Sequence, residues 1–190
     1  IAEQMNLMVP ERSGGDFAED PQYGLAGAAY LTAADITRYG LKSYDFTVSD
    51  ATGRDYVDPK TMRRVFGEDV FKKMAENGHT IKETDMPTTA EVVKDLLKIA
   101  HAFFLQVKDT PETTEFWTEI YGPERVVKLP RTELLPEVEA AIIGLTEGVL
   151  TLQTVEAFLI DTAGVSAADA KNIKRAVASI PIGAQASLSN

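Results

Sequence analysis

Three short apolar segments, each followed by a helical pattern, set the fold class of this chain. The segments cover residues 43–49, 101–107 and 125–129, and amphipathic or Ala-rich stretches lie between them. Strands that alternate with helices in this way are typical of a parallel sheet with helices packed on its faces. We therefore predict an α/β fold with a doubly wound, mainly parallel sheet and flanking helices.

Capping residues mark where the helices begin. Asp20-Pro21 and Asp58-Pro59 each have the form of an N-cap followed by proline at the first helical position. Thr88 and Glu91 have the spacing of a capping box. The predicted helices span residues 21–38, 59–77 with a break at Gly67, 132–145, 151–163 and 166–178, and further helices follow Thr88 and Thr110.

The C-terminal part of the chain carries helical patterns without a strand. We therefore predict a partial α/β domain at residues 1–148 and a helical extension at residues 149–190. In the extension Gly164 ends one helix and Ser166 begins the next, which predicts two antiparallel helices packed on the sheet domain. Asp161 begins an Asp-Thr-Ala-Gly segment like that of small GTPases, but no phosphate-binding loop motif accompanies it, so we interpret it as a helix end.

Composition excludes several function classes. The net charge of −10 argues against a nucleic-acid partner, because phosphate binding needs clustered Lys and Arg. No apolar run approaches the roughly 20 residues of a membrane span. The chain has no cysteine, which excludes a disulfide framework and fits a reducing compartment. We expect a cytoplasmic location without a membrane span.

Acidic residues follow a glycine-rich loop and end the first predicted strand. The loop carries Asp16, Glu19 and Asp20, and the strand at 43–49 is followed directly by Asp50. Ligands of open α/β sheets bind just outside the carboxyl ends of the strands, so both acidic segments are expected to meet there. Oxygen-rich clusters of this kind suit a hard cation such as Mg²⁺. Ser49 alternates with Asp50 and faces the other way.

The Gly-Gly-Asp loop, the helix after it and the strand that ends in Ser-Asp resemble the second half of a von Willebrand factor A (VWA) domain, over about residues 10–147. In that family the strand-end Asp, the loop residue after Gly-Gly and an Asp-x-Ser-x-Ser motif hold a metal, whose open position takes an acidic group from a partner. The resemblance implies a Rossmann-like sheet with Asp50 and Asp16 as metal ligands. Glu19, Asp20 and Ser49 would be neighbours of the metal. Asp-x-Ser-x-Ser does not occur in this chain.

Three functions remain open at this point. The resemblance favours a scaffold module that binds an acidic partner group through Mg²⁺ or another divalent cation, which would not be an enzyme. The second is a Mg²⁺-dependent phosphohydrolase with Asp50 as nucleophile or ligand, for which Lys108 and Asp109 follow the next strand. The third is an assembly protein whose metal site has decayed. The common hydrolase motifs Gly-x-Ser-x-Gly and His-Glu-x-x-His are absent.

The resemblance also predicts an incomplete sheet. In the VWA fold the first strand lies beside the strand that corresponds to residues 43–49, and this chain has no equivalent of it. We expect a second chain or an upstream segment to pair with the free side of that strand, since unpaired backbone groups are costly when buried.

Overall fold

The computed structural model describes residues 18–188. It shows an α/β fold of the Rossmann-like class, with an open sheet of three parallel strands in the order β1-β2-β3. The strands are β1 (Ser43–Ser49), β2 (Ala100–Gln106) and β3 (Val126–Lys128). The helices are α1 (Pro21–Tyr30), α2 (Pro59–Phe66), α3 (Val70–Glu76), α4 (Thr89–Ile99), α5 (Pro111–Tyr121), α6 (Leu135–Thr146), α7 (Val155–Asp161) and α8 (Ala167–Ala176).

The three predicted strands all exist, and the second and third differ from the prediction by one residue at each end. β1 pairs with β2 along its whole length, from Ser43 opposite Ala100 to Ser49 opposite Gln106. β3 is short and pairs only with the second half of β2. The sequence therefore identified all three strands, and for β2 the reason is that a strand buried on both faces reads as a continuous apolar segment.

Two hydrophobic cores lie on opposite faces of the sheet. Ala102 and Phe104 of β2 pack with α1 to α5, and Phe103 and Leu105 pack with α6 to α8. All of β2 is buried, as expected for the central strand. The prediction of a sheet with flanking helices is thus confirmed at the level of the α/β class.

All three of these helices begin where predicted, and the predicted side chain caps the helix at two of the three positions. The Asp58 carboxylate accepts a hydrogen bond from the Thr61 backbone N–H at 2.7 Å, and Thr88 with Glu91 forms a complete capping box. The break at Gly67 is also present, at a backbone φ of 101° that favours glycine. Helix α1 begins at Pro21 as predicted, but the Asp20 side chain does not cap it.

The predicted continuation of the first helix to residue 38 is wrong. Helix α1 ends at Tyr30, and a separate 3₁₀ turn covers Asp35–Tyr39. Side chains satisfy the carbonyl groups at the helix end: the Thr32 hydroxyl donates to the Gly27 carbonyl, and the Asn77 amide donates to the Tyr30 carbonyl. Because these groups have partners outside the helix, the chain leaves the helical path there.

The C-terminal helices form part of the core beside the sheet. Gly164 separates α7 from α8, and the Ser166 hydroxyl accepts a hydrogen bond from the Asp169 backbone N–H. Leu159 of α7 and Ile173 of α8 are fully buried in the same cluster as Leu105 of β2. No helix within residues 18–188 has the length and apolar character needed to cross a bilayer.

Gln185 links the C-terminal segment to the start of the sheet. Its Oε1 atom accepts from the Lys42 backbone N–H at 3.2 Å, and its Nε2 atom donates to the Lys42 carbonyl at 2.9 Å. The same Oε1 lies 2.9 Å from Nε2 of buried His101. Burial lowers the pKa of His101, and the nearby positive charges of Lys42 and Arg125 act in the same direction. Because an amide oxygen can only accept, the His101 Nε2–H donates to Gln185.

We predict that Gln185→Ala lowers the free energy of unfolding by about 1–3 kcal/mol, because it leaves the Lys42 backbone groups and the His101 ring without their buried partner. Urea unfolding measures the change. Gln153→Ala is the matched control, since Gln153 is exposed and should shift stability by less than about 0.5 kcal/mol. Equal effects of the two substitutions would contradict the role given to Gln185.

Candidate functional site

Asp50 lies at the carboxyl end of β1, where the sequence predicted it. Its side chain is exposed, and its backbone carbonyl accepts a hydrogen bond from the Thr113 hydroxyl at 3.3 Å. Ser49 is half-buried, and its hydroxyl oxygen accepts from the Ala51 backbone N–H at 3.2 Å. Ser49 therefore shapes the turn that follows β1, while the Asp50 carboxylate stays available to a ligand.

The acidic loop before α1 reaches the same end of the sheet. Ala18 forms a parallel bridge with Thr52, and the Glu19 backbone N–H donates to the Thr52 carbonyl at 3.0 Å. Glu19 itself is exposed. The sequence argument that the two acidic segments meet is borne out for the backbone of these residues. Asp16, the other predicted metal ligand, lies outside the described residues.

Asp20 is held by its neighbours. Its Oδ1 atom accepts from Arg54 Nε and from Gln22 Nε2, each at 2.9 Å. The Arg54 guanidinium thus neutralises this carboxylate, which makes Asp20 a structural link between the two loops. Gln22 is fully buried, and its Oε1 atom has no hydrogen-bond donor among the described residues.

The exposed Asp50 carboxylate supplies oxygen ligands of the kind that hard cations prefer. Within residues 18–188, however, no group of three or more His, Cys, Asp or Glu side chains is placed to hold a metal. The described residues therefore supply the right chemistry in Asp50 but not a complete ligand set.

Trp117 fixes the loop that carries Asp50, a role that the sequence did not reveal. Its indole Nε1–H donates to the Ala51 carbonyl at 2.9 Å, and its ring stacks on Phe104 of β2 at 4.5 Å. Gly53 lies against the same ring, since a Cβ atom there would come within 3.0 Å of it. No local pattern indicates this role, because the contact joins residues that are 66 positions apart.

An ion pair joins the carboxyl ends of β2 and β3. Asp109, which follows β2, forms an ion pair with Lys128 of β3 at 2.6 Å. Both side chains are largely exposed. A catalytic use of Asp109 with Lys108 would require this ion pair to open, which costs little at an exposed site.

Two further motifs have structural explanations. Asp161 is the last residue of α7, and Gly164 follows at a φ of 71°, as the interpretation of a helix end requires. His101 is buried against Gln185 and packs on the Tyr44 ring at 5.4 Å.

Comparisons with known proteins were made by a scan against protein-family models and by searches of curated proteins and of solved structures. None of the three found a match to this chain.

Replacing Trp117 with Phe removes the indole donor while it keeps an aromatic ring against Phe104. We predict a loss of about 1–3 kcal/mol of unfolding free energy, because the Ala51 carbonyl loses its partner. The amides of residues 50–54 should exchange faster with solvent in the same variant, as measured by hydrogen exchange. Glu119→Ala, an exposed position on the same helix, is the control and should leave exchange in that loop unchanged. Unaltered exchange in Trp117→Phe would show that the indole does not hold the loop.

Proposed function

We propose that this chain is a VWA-type protein-binding module that binds an acidic group of a partner protein through a divalent cation held at Asp50. The observation that carries the proposal is the exposed Asp50 carboxylate at the carboxyl end of β1, beside the loop of Ala18 to Asp20. This edge of an open α/β sheet is where such folds bind ligands.

The surroundings of Asp50 support a binding role. Its turn is held by the Thr113 hydroxyl and, through Ala51, by Trp117, so the carboxylate is presented on a fixed loop. A preorganised loop binds a partner at a smaller entropic cost than a mobile one. The chain carries a net charge of −10, and a cation would be needed for an acidic partner to approach this surface.

Asp50→Ala tests the proposal. We expect it to abolish Mg²⁺-dependent partner binding and to shift the melting temperature little, because it removes an exposed carboxylate and no core volume. Proteins captured from a lysate by the immobilised chain with Mg²⁺, and released by chelator, provide the partner. Calorimetry with the purified partner, with and without chelator, then measures the affinity of each variant.

Asp161→Ala is the matched control for charge. It removes an exposed acid at the end of α7, remote in sequence from the loops of the site, and should leave binding unchanged. Binding that ignores chelator would refute the cation. Equal affinity of Asp50→Ala and the parent chain would refute the role of Asp50.

A further inference from the structure

β1 has a free edge in the described structure. Its only strand neighbour within residues 18–188 is β2, so one side of its backbone faces no other strand. Six of its residues are half-buried and Val48 is 41% exposed, whereas every residue of β2 is buried. A strand with a free edge and apolar side chains is a site where another strand can add by backbone pairing.

The hydrogen bonds show which backbone groups point to the free side. The Ser49 carbonyl accepts from the Val107 N–H, so Ser49 points its backbone toward β2. Backbone groups alternate along a strand, and those of Tyr44, Phe46 and Val48 therefore point away from β2. Gln185 already pairs with Lys42, the preceding residue of this series. Beyond the strand, Ala18 forms a bridge with Thr52. Among the described residues, the free edge of β1 is thus limited to Tyr44, Phe46 and Val48.

Asp45 supplies a second, independent sign of a missing neighbour. Its Oδ1 atom is buried and has no hydrogen-bond partner among the described residues. Burial raises the pKa of this carboxyl group, and a hydrogen bond from the Thr47 hydroxyl of the same strand acts against that rise. On the same strand the Thr47 hydroxyl lies 3.0 Å from the Tyr121 hydroxyl. An unpaired buried oxygen is costly, and a hydroxyl donor from a covering strand would satisfy it.

We propose that the free edge of β1 pairs antiparallel with β1 of a second copy of this chain, about a twofold axis at Phe46. In this register Tyr44 lies opposite Val48 of the second copy, and the backbone groups of Tyr44, Phe46 and Val48 all find partners. Asp45 lies opposite Thr47 in a non-hydrogen-bonded pair, the arrangement that brings side chains closest. The Thr47 hydroxyl then accepts from Tyr121, and its proton moves from the carboxylate of its own strand to the orphaned Oδ1 of Asp45 in the second copy.

The residue pattern of β1 is what selects a second copy as the occupant. When this strand is aligned antiparallel with a copy of itself, Ser43 lies opposite Ser49, Tyr44 opposite Val48 and Phe46 opposite Phe46. The acceptor Asp45 lies opposite the donor Thr47. Twofold interfaces require this kind of self-complementarity. The pairing would also cover Val48 and give a continuous sheet across the two copies. The pairing of the two β1 strands does not require a cation at Asp50.

Sedimentation of the full chain with chelator present tests the pairing. We expect a dimer whose population rises with protein concentration, and Val48→Pro should weaken it by about tenfold or more. Proline removes the Val48 N–H, which points to the free edge, so the β1–β2 ladder keeps its hydrogen bonds. Val48→Thr retains the N–H and should dimerise like the parent. A parent chain that stays monomeric would overturn the proposal, as would a Val48→Pro dimer of unchanged strength.

Single cysteines test the register, and the chain has no other cysteine. Phe46→Cys places two thiols on the twofold axis with Cα atoms about 5.5 Å apart, within the range of a disulfide. It should form a covalent dimer under mild oxidation. Val48→Cys is the control, since its two copies would lie about 13 Å apart and should stay unlinked. Linking of Val48→Cys without linking of Phe46→Cys, or equal linking of the two variants, would contradict this register. Protection of the Phe46 amide in a monomeric parent would instead assign the edge to another segment of the same chain.

Discussion

The parallel pairing of β1 with β2 is the interaction on which the rest of this structure depends. It aligns seven residues of each strand and places aromatic rings on both faces of the sheet. On one face Phe104 stacks on Trp117, and on the other Phe103 stacks on Phe46 at 5.9 Å. Apolar burial of this kind is the main favourable term in folding.

The same pairing positions the candidate site. Trp117 packs on β2 and donates to the Ala51 carbonyl, so the loop after β1 is fixed relative to the sheet. Asp50 is thereby held at the carboxyl end of β1, where the Ala18–Thr52 bridge adds the loop before α1. The pairing also leaves the other side of β1 without a strand in residues 18–188. The exposed acid and the free edge are thus two consequences of one arrangement.

The elements that were predicted correctly have local causes. β1 matches the predicted residues 43–49. The helix starts at Asp58 and Thr88 follow from capping side chains within a few residues. The break at Gly67 follows from the backbone conformation of that glycine. The errors and omissions have distant causes. Helix α1 ends where Asn77 binds the Tyr30 carbonyl, and Gln185 reaches Lys42 across 143 positions. No local sequence pattern predicts such distant contacts.

The candidate site was predictable in part for the same reason. The position of Asp50 follows from the end of the strand and the topology, and so does the contact between the acidic loop and the loop after β1. The neutralisation of Asp20 by Arg54 and the buried oxygen of Gln22 depend on how the loops pack, which the sequence does not state. Asp16 stays a prediction, as does the VWA resemblance itself.

Hydrogen exchange of the individual β1 amides in dilute, monomeric protein tests the central claim most directly. If β1 is paired on one side only, the amides of Asp45, Thr47 and Ser49, which point to β2, should be protected. Those of Tyr44, Phe46 and Val48 should exchange much faster, so protection alternates along the strand. Uniform protection of all these amides at the lowest concentration would show that a further strand of the same chain covers this edge, and would contradict the account.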